Sequence, residues 1–339
     1  MARSSVIVIG AGVAGLSCAL ALSERDVDVT VVERGRALGD GCCSWMAGGM
    51  LAPWCERATT EPEVADWGAA SIDWWSRRYA GTQQRGSLVV AQPRDATDLT
   101  RFAQRTERFQ WLDADAIASV EPALAGRFRR ALFFPDEAHL DPRGALAALA
   151  GELGRRDVAI GFGVEHAVRA AASEIVVDCR GYAARDRLPD LRGVRGEMVL
   201  VRSPDVELSR PVRLLHPRLP LYIVPRGAGL FMIGATMIES ERRGPVSVRS
   251  AMELLSAAYA LHPAFGEAEI VELGADLRPA FPDNLPQLRR DGHVLHANGL
   301  FRHGFLLAPT LAGWVADAIT REELESEVSH ADFPQRRRA

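Results

Sequence analysis

The chain opens on an unbroken apolar run. Val6 to Ile9 are four consecutive β-branched residues with no polar alternation, the pattern of a central parallel strand buried on both faces. Leu16, Ala19, Leu20 and Leu22 then recur at helical spacing, with Ser23 and Asp26 near the helix end, and Val29 to Val32 predict a second buried strand. Further along, Glu61 to Tyr79 reads as one helix with Val64, Trp67, Ser71, Ile72, Trp75 and Tyr79 on a single face, an aromatic stripe suited to core packing. From Gly86 the period shortens. Ser87–Ala91 and Ala131–Pro135 predict strands around a polar helix near Asp95–Glu107. Asp141-Pro142-Arg143 starts a helix carrying Leu146, Leu149 and Leu153 on one face. Strands follow at Val158–Ile160 and Ile175–Val177, then at Met198–Arg202, Leu219–Val224 and Leu230–Ile233. A helix at Ala251–Leu261, strands at Glu269–Leu277 and His293–Ala297, a turn at Asn298–Gly304 and a helix at Phe305–Ile319 complete the series.

The pattern alternates between two kinds of unit. Residues 1–80, 141–194 and 279–330 read as a discontinuous Rossmann-like α/β nucleotide domain, and 81–140 with 195–278 as a mostly antiparallel-sheet substrate domain; 331–339 is a tail. At 339 residues, two domains are expected. A dehydrogenase built from two consecutive halves would not need the chain to return twice, so the interleaving favours FAD over NAD.

Gly10, Gly12 and Gly15 follow the first strand at G-x-G-x-x-G spacing. They suit a tight turn, close backbone approach to a pyrophosphate and close helix–sheet contact, with the phosphates on the helix N-terminus. Glu33, 21 positions after Gly12, ends the second strand where a carboxylate accepts from both ribose hydroxyls. The glycine-rich stretch from Arg34 to Pro53, with Trp45, Met46, Met50 and Leu51, is poor solvent-exposed loop material and is expected beside the cofactor's reactive ring. Gly181, just past a strand end, again suggests backbone close to cofactor.

Composition excludes more than it assigns. A net charge of −4 argues against nucleic-acid or anionic-membrane partners, and no apolar run reaches membrane-spanning length. The five cysteines, Cys18, Cys42, Cys43, Cys55 and Cys179, are odd in number and lack paired metal spacings, which points to no metal and a reduced, cytoplasmic setting.

Cys43–Pro53, Leu221–Arg226, Ile233–Met237, Leu277-Arg278-Pro279, Gly299–Gly304 and Leu306–Pro309, together with the glycine turn and Glu33, resemble the D-amino-acid oxidase superfamily and, within it, the glycine oxidases of the thiamine pathway. The resemblance spans nearly the whole chain. It implies that Val13 and Ala14 line the FAD pyrophosphate, Glu33 and Arg34 the adenosine ribose, and the backbone of Val164 the adenine. Cys43, Ser44, Gly48, Gly49 and Met50 would line the flavin, with Leu300, Phe301, Arg302, His303, Gly304, Phe305 and Leu306 closing over its other end. Arg278 would clamp a substrate carboxylate with two parallel hydrogen bonds and Tyr222 would add a third, while the Arg302 carbonyl faces the amine and Met237 walls the side-chain space.

The implied reaction is oxidative deamination of glycine by hydride transfer to flavin, with O2 reduced to H2O2 and iminoacetate, or glyoxylate and ammonia, as product. No general base is required, and His139, His216, His262, His293, His296 and His303 receive no catalytic role. FAD is expected to be noncovalent: monomeric sarcosine oxidases attach flavin through a cysteine in the C-terminal half, whereas the last cysteine here is Cys179. The same chemistry on sarcosine, a D-amino acid or an N-carboxymethyl amino acid stays open, as do an NAD-linked dehydrogenase and a flavin-binding module without turnover. A homotetramer and hand-over of the imine to thiazole synthase are further implications of the resemblance.

Overall fold

The computed structural model describes residues 5–168, 174–216 and 221–320. The expected tail and the start of the strand expected at Leu219 lie outside them; the described strand is Leu221–Pro225.

The opening pattern becomes the middle of a six-stranded sheet ordered Gln287–Asp291, Val294–Asn298, Glu174–Asp178, Ser5–Ile9, Asp28–Glu33, Ala159–Phe162. All neighbours are parallel except the edge strand Gln287–Asp291, which pairs antiparallel with Val294–Asn298. Helices Val13–Ser23, Pro142–Arg155 and Gly304–Thr320 share one core with this sheet, through Leu16, Leu20, Leu146, Leu149, Leu311 and Val315. Asp141 caps the second of these helices by accepting from the Gly144 N–H at 3.0 Å, as the Asp-Pro start implies.

A second, nine-stranded sheet collects strands from Ser87 onward. Its neighbours are antiparallel except Ser87–Ala91 beside Val212–Leu215. Two strands are longer than the apolar pattern suggests, Arg192–Arg202 and Glu269–Ala280, and they pair with each other along their length. Arg278 and Pro279 therefore sit inside a strand, not at its end. Strands of the two sheets alternate along the sequence.

The expected helix Glu61–Tyr79 is two helices, Pro62–Gly68 and Ser71–Arg78. Gly68, whose backbone entropy makes it a poor interior helix residue, closes the first. The aromatic stripe is core packing: Trp75 is fully buried and Trp67 meets Trp314 edge-on at 5.0 Å. Trp75 also compensates a defect. Pro309 lies inside helix Gly304–Thr320 and has no N–H to offer the carbonyl four residues earlier, Phe305. The Trp75 indole N–H donates to that carbonyl at 2.7 Å.

Candidate active site

The glycine turn is fixed by packing before any ligand is considered. Gly10 has φ of +106°, and a Cβ on Gly15 would stand 1.8 Å from the Gly10 carbonyl oxygen. The helix can start this close to the sheet only with hydrogen at that position. Gly12 is its N-cap and brings no side-chain cap, so the positive helix end opens toward a cavity of about 220 Å³.

That cavity is lined by Glu33, Arg34 and Val164, by Gly10, Gly12, Val13, Ala14 and Gly181, and by Cys43, Ser44, Gly48, Leu300, Phe301, Arg302, Gly304 and Phe305. The Glu33 carboxylate accepts from the Ala11 N–H at 2.8 Å and the Gly35 N–H at 2.7 Å, which orients it and leaves each oxygen a lone pair for a ribose hydroxyl. Val164 donates its N–H to the Glu33 carbonyl at 3.0 Å, so only its carbonyl remains for an adenine. Ser44 Oγ accepts from the Val13 N–H at 3.2 Å, and this helix N-terminus, an oriented carboxylate and a loop of small residues lining one cavity form a donor set that fits an adenine dinucleotide.

A second cavity of about 210 Å³ adjoins the first, and Gly48, Tyr222, Arg278, Arg302, Gly304 and Phe305 line both. Gly49, Met50, Met237, His303 and Leu306 line only the second. Gly15 lines neither; its part is helix–sheet packing. Arg278 crosses the backbone of Gly196, where a Cβ would meet its guanidinium at 2.3 Å, and donates to the Thr236 carbonyl at 3.0 Å. Among the described residues no carboxylate pairs with Arg278, and burial pulls its pKa below the ordinary arginine value. A Cβ on Gly48 would stand 3.2 Å from the Tyr222 hydroxyl, which places that phenol against the loop beside Arg278. The Arg302 side chain turns aside, its guanidinium 2.8 Å from Glu56 Oε2 and hydrogen-bonded to Thr59.

Sequence reasoning missed what holds the loop. Arg226, just past the strand Leu221–Pro225 of the second sheet, donates to the Ala47 and Gly48 carbonyls at 3.0 and 2.9 Å and so grips the loop. Arg143 donates to the Trp45 carbonyl at 3.3 Å, faces the Trp45 ring and pairs with Glu272 at 2.8 Å. Cys42 and Cys43 are both free thiols, pushed up in pKa chiefly by burial. Asp178 and His296 are buried and paired, and the half-buried Arg180, which lines the first cavity, pairs with Asp178. Glu56 and Arg213 line the second and were also missed; the one signal was a charge within the apolar run Val212–Leu215.

Behind Glu56 lies Glu137, fully buried, hydrogen-bonded to the Ser87 hydroxyl and accepting from the Cys55 N–H at 2.7 Å. Burial raises its pKa to about 8, against the Ser87 and Cys55 hydrogen bonds, so the acid is neutral at pH 7. A raised folded-state value means that folding takes up a proton. The stability it brings is complete below the ordinary value of 4.5 and is lost as pH rises through about 8. Glu137→Gln is expected to flatten this decline, measured as the difference in denaturation free energy between pH 5 and pH 8.5. An unchanged difference would place the titration elsewhere.

Comparison with known proteins gives the lineage. The FAD dependent oxidoreductase (DAO) family matches residues 5–318. The chain is 55% identical over 327 residues to the Rhizobium etli protein named thiamine biosynthesis oxidoreductase ThiO, covering 95% of this chain and 98% of that one. The bifunctional ThiO/ThiG protein of Synechocystis is 27% identical over 98% of this chain, which spans 54% of that protein. The crystal structure of glycine oxidase from Geobacillus kaustophilus superposes with a TM-score of 0.80 at 26% identity, covering 98% of both chains. The dinucleotide cavity, its glycine turn and these matches agree: the chain belongs to the DAO family of FAD-dependent oxidoreductases.

Proposed function

We propose that the chain oxidises glycine to iminoacetate, which yields glyoxylate and ammonia in water, for the thiazole branch of thiamine biosynthesis. The observation that carries this reading is Arg278, a guanidinium without a carboxylate partner among the described residues, at the junction of the dinucleotide cavity and a second cavity. Such a group is matched by the carboxylate of an amino acid. FAD, when bound, would supply a hydride acceptor for the substrate α-carbon, with O2 as the final electron acceptor and H2O2 as its product.

The chain's own part is placement. Arg278 fixes the carboxylate with the Tyr222 phenol beside it, and the Arg302 carbonyl receives the amine while its side chain is held by Glu56 and Thr59. His303 lines the second cavity but is held neutral, its pKa lowered to about 3 by burial and by facing arginines, so no acid–base role is assigned to it. Residues 1–80, 141–194 and 279–330 hold FAD noncovalently in this reading, and 81–140 with 195–278 build the substrate side. A cytoplasmic homotetramer and delivery of the imine to a thiazole synthase belong to the same reading; the joining of ThiO and ThiG in one Synechocystis protein supports the delivery.

The test is a visible spectrum of the purified protein under argon. Addition of glycine is expected to bleach the oxidised-flavin band at about 450 nm. A band that glycine leaves untouched would retain cofactor and fold and move the substrate to another small amine.

A further inference from the structure

Residues 240–247 join strand Ile238–Glu239 of the second sheet to helix Val248–Leu261, and they are mounted more firmly than a surface connection requires. Arg195, 6% exposed on strand Arg192–Arg202, donates to three carbonyls of this segment: Arg242 at 2.8 Å, Gly244 at 3.0 Å and Pro245 at 2.7 Å. The same guanidinium donates to Glu197 Oε1 at 2.9 and 2.7 Å, and that oxygen also accepts from the Ser247 N–H at 3.2 Å. A buried ion pair is costly to form, and this one directs its remaining donors at backbone that brackets a single residue, Arg243. Gly244, with φ of +139°, turns the chain directly after it. On the other side Glu241 pairs with Arg185, which donates to the Tyr182 hydroxyl at 2.9 Å. The segment is therefore a strap, tied at one end to the second sheet and at the other to the turn Gly181–Asp186 that follows a strand of the first.

What the strap presents is a cation at the dinucleotide cavity. Arg243 lines that cavity, its guanidinium 5.9 Å from the centre of the Tyr182 ring, which lines it too. Four other arginines share the lining. Arg180 pairs with Asp178 and Asp186, Arg302 pairs with Glu56, and Arg278 donates to the Thr236 carbonyl. Arg34 and Arg243 have no hydrogen bond or ion pair among the described residues, and Arg34 adjoins Glu33 in sequence, on the ribose side. The carboxylates of the lining do not satisfy Arg243: Glu33 accepts from backbone N–H groups, Asp276 from the Leu277 N–H at 2.7 Å, and among the described residues neither they nor Glu165 pairs with it. The glycine turn, for its part, is an incomplete anion seat. Its Ala11 N–H is given to Glu33 and its Val13 N–H to Ser44 Oγ. A helix end carries about half a positive charge, against about two negative charges on a diphosphate.

We propose that Arg243, held over the cavity by Arg195, pairs with the diphosphate of FAD, so that the cofactor is retained from the second sheet as well as by the glycine turn of the first. A guanidinium fork matches phosphate oxygens, and an arginine offered on a fixed mount gives up less freedom in binding them than one on a free loop. The proposal requires the family's cofactor and is independent of which amine is oxidised.

The test follows release of FAD from the holoenzyme on serial dilution, read as free-flavin fluorescence, at about 0.05 M and about 0.5 M salt. Arg243→Gln is expected to raise the FAD dissociation constant about tenfold at the lower salt, the effect of one charge-assisted contact, and by markedly less at the higher, where the charge is screened. Arg243→Lys, which keeps the charge and loses the fork, is expected to recover part of the loss. Equal dissociation constants for Arg243→Gln and its parent at the lower salt overturn the proposal. A loss of the same size at both salts that Arg243→Lys leaves uncorrected also overturns it, because it reports a disturbed strap and not a missing charge.

Discussion

Arg278→Ala is expected to lower kcat/KM for glycine by about thirtyfold or more, mostly through KM, with the bound-flavin spectrum unchanged. Removing one partner of a buried, charge-assisted pair costs about 2–5 kcal/mol, and each 1.4 kcal/mol is a factor of ten. The size of the effect follows from the surroundings of the guanidinium. It lies over Gly196 with one donor on the Thr236 carbonyl, and among the described residues no carboxylate competes for it. An incoming carboxylate therefore does not first have to break an ion pair. Flavin should be retained because Glu33 and the helix N-terminus act at other parts of the same cavity. Steady-state kinetics and the absorbance of the purified variant check both halves, and unchanged kinetics would remove Arg278 from substrate binding.

Asp178→Asn is expected to destabilise the fold by about 3–5 kcal/mol, the usual penalty for breaking a buried ion pair from one side. Asp178 is fully buried at the end of the strand beside Ser5–Ile9. Its carboxylate accepts from Arg180 Nε at 2.9 Å, Arg180 Nη2 at 3.0 Å and the Arg180 N–H at 3.1 Å, and meets His296 Nδ1 at 3.0 Å. Burial would raise its pKa, but the His296 and Arg180 hydrogen bonds outweigh burial and lower it below the ordinary 3.8. The sign follows: the stabilisation is present above the ordinary value and is lost as pH falls through the depressed one. Acid unfolding of the unaltered protein should therefore include the protonation of Asp178, and the variant should lose part of that acid dependence. Denaturation at pH 7 and pH 3 measures both effects. A variant as stable as its parent would show that Arg180, which also pairs with Asp186 at 2.7 Å, tolerates the loss.

Several features were legible locally because local chemistry fixes them. An all-β-branched run has no face to present to water, so Val6–Ile9 had to be a central strand. The glycine spacing and Glu33 are neighbours through one strand–helix–strand unit, so their relation is set within the stretch from Ser5 to Glu33. The return of strand patterns after each excursion gave the interleaving of two sheets, and the resemblance carried by Arg278, Tyr222 and the stretch from Gly299 to Leu306 named residues that the fold brings to the same pair of cavities.

What only the tertiary structure decided are the relations between residues far apart in sequence. Arg226 looks like any charged residue after a strand until its guanidinium is found on the Ala47 and Gly48 carbonyls. Pro309 reads as a helix breaker, and only the fold supplies the Trp75 indole for the carbonyl it leaves free. Glu56, Arg213 and Arg302 lie on separate segments, so their pairing could not be read from spacing. Periodicity reports which face of an element avoids water; it does not report which buried charge meets which, because ion pairs form across elements whose approach is set by the packing of everything between them.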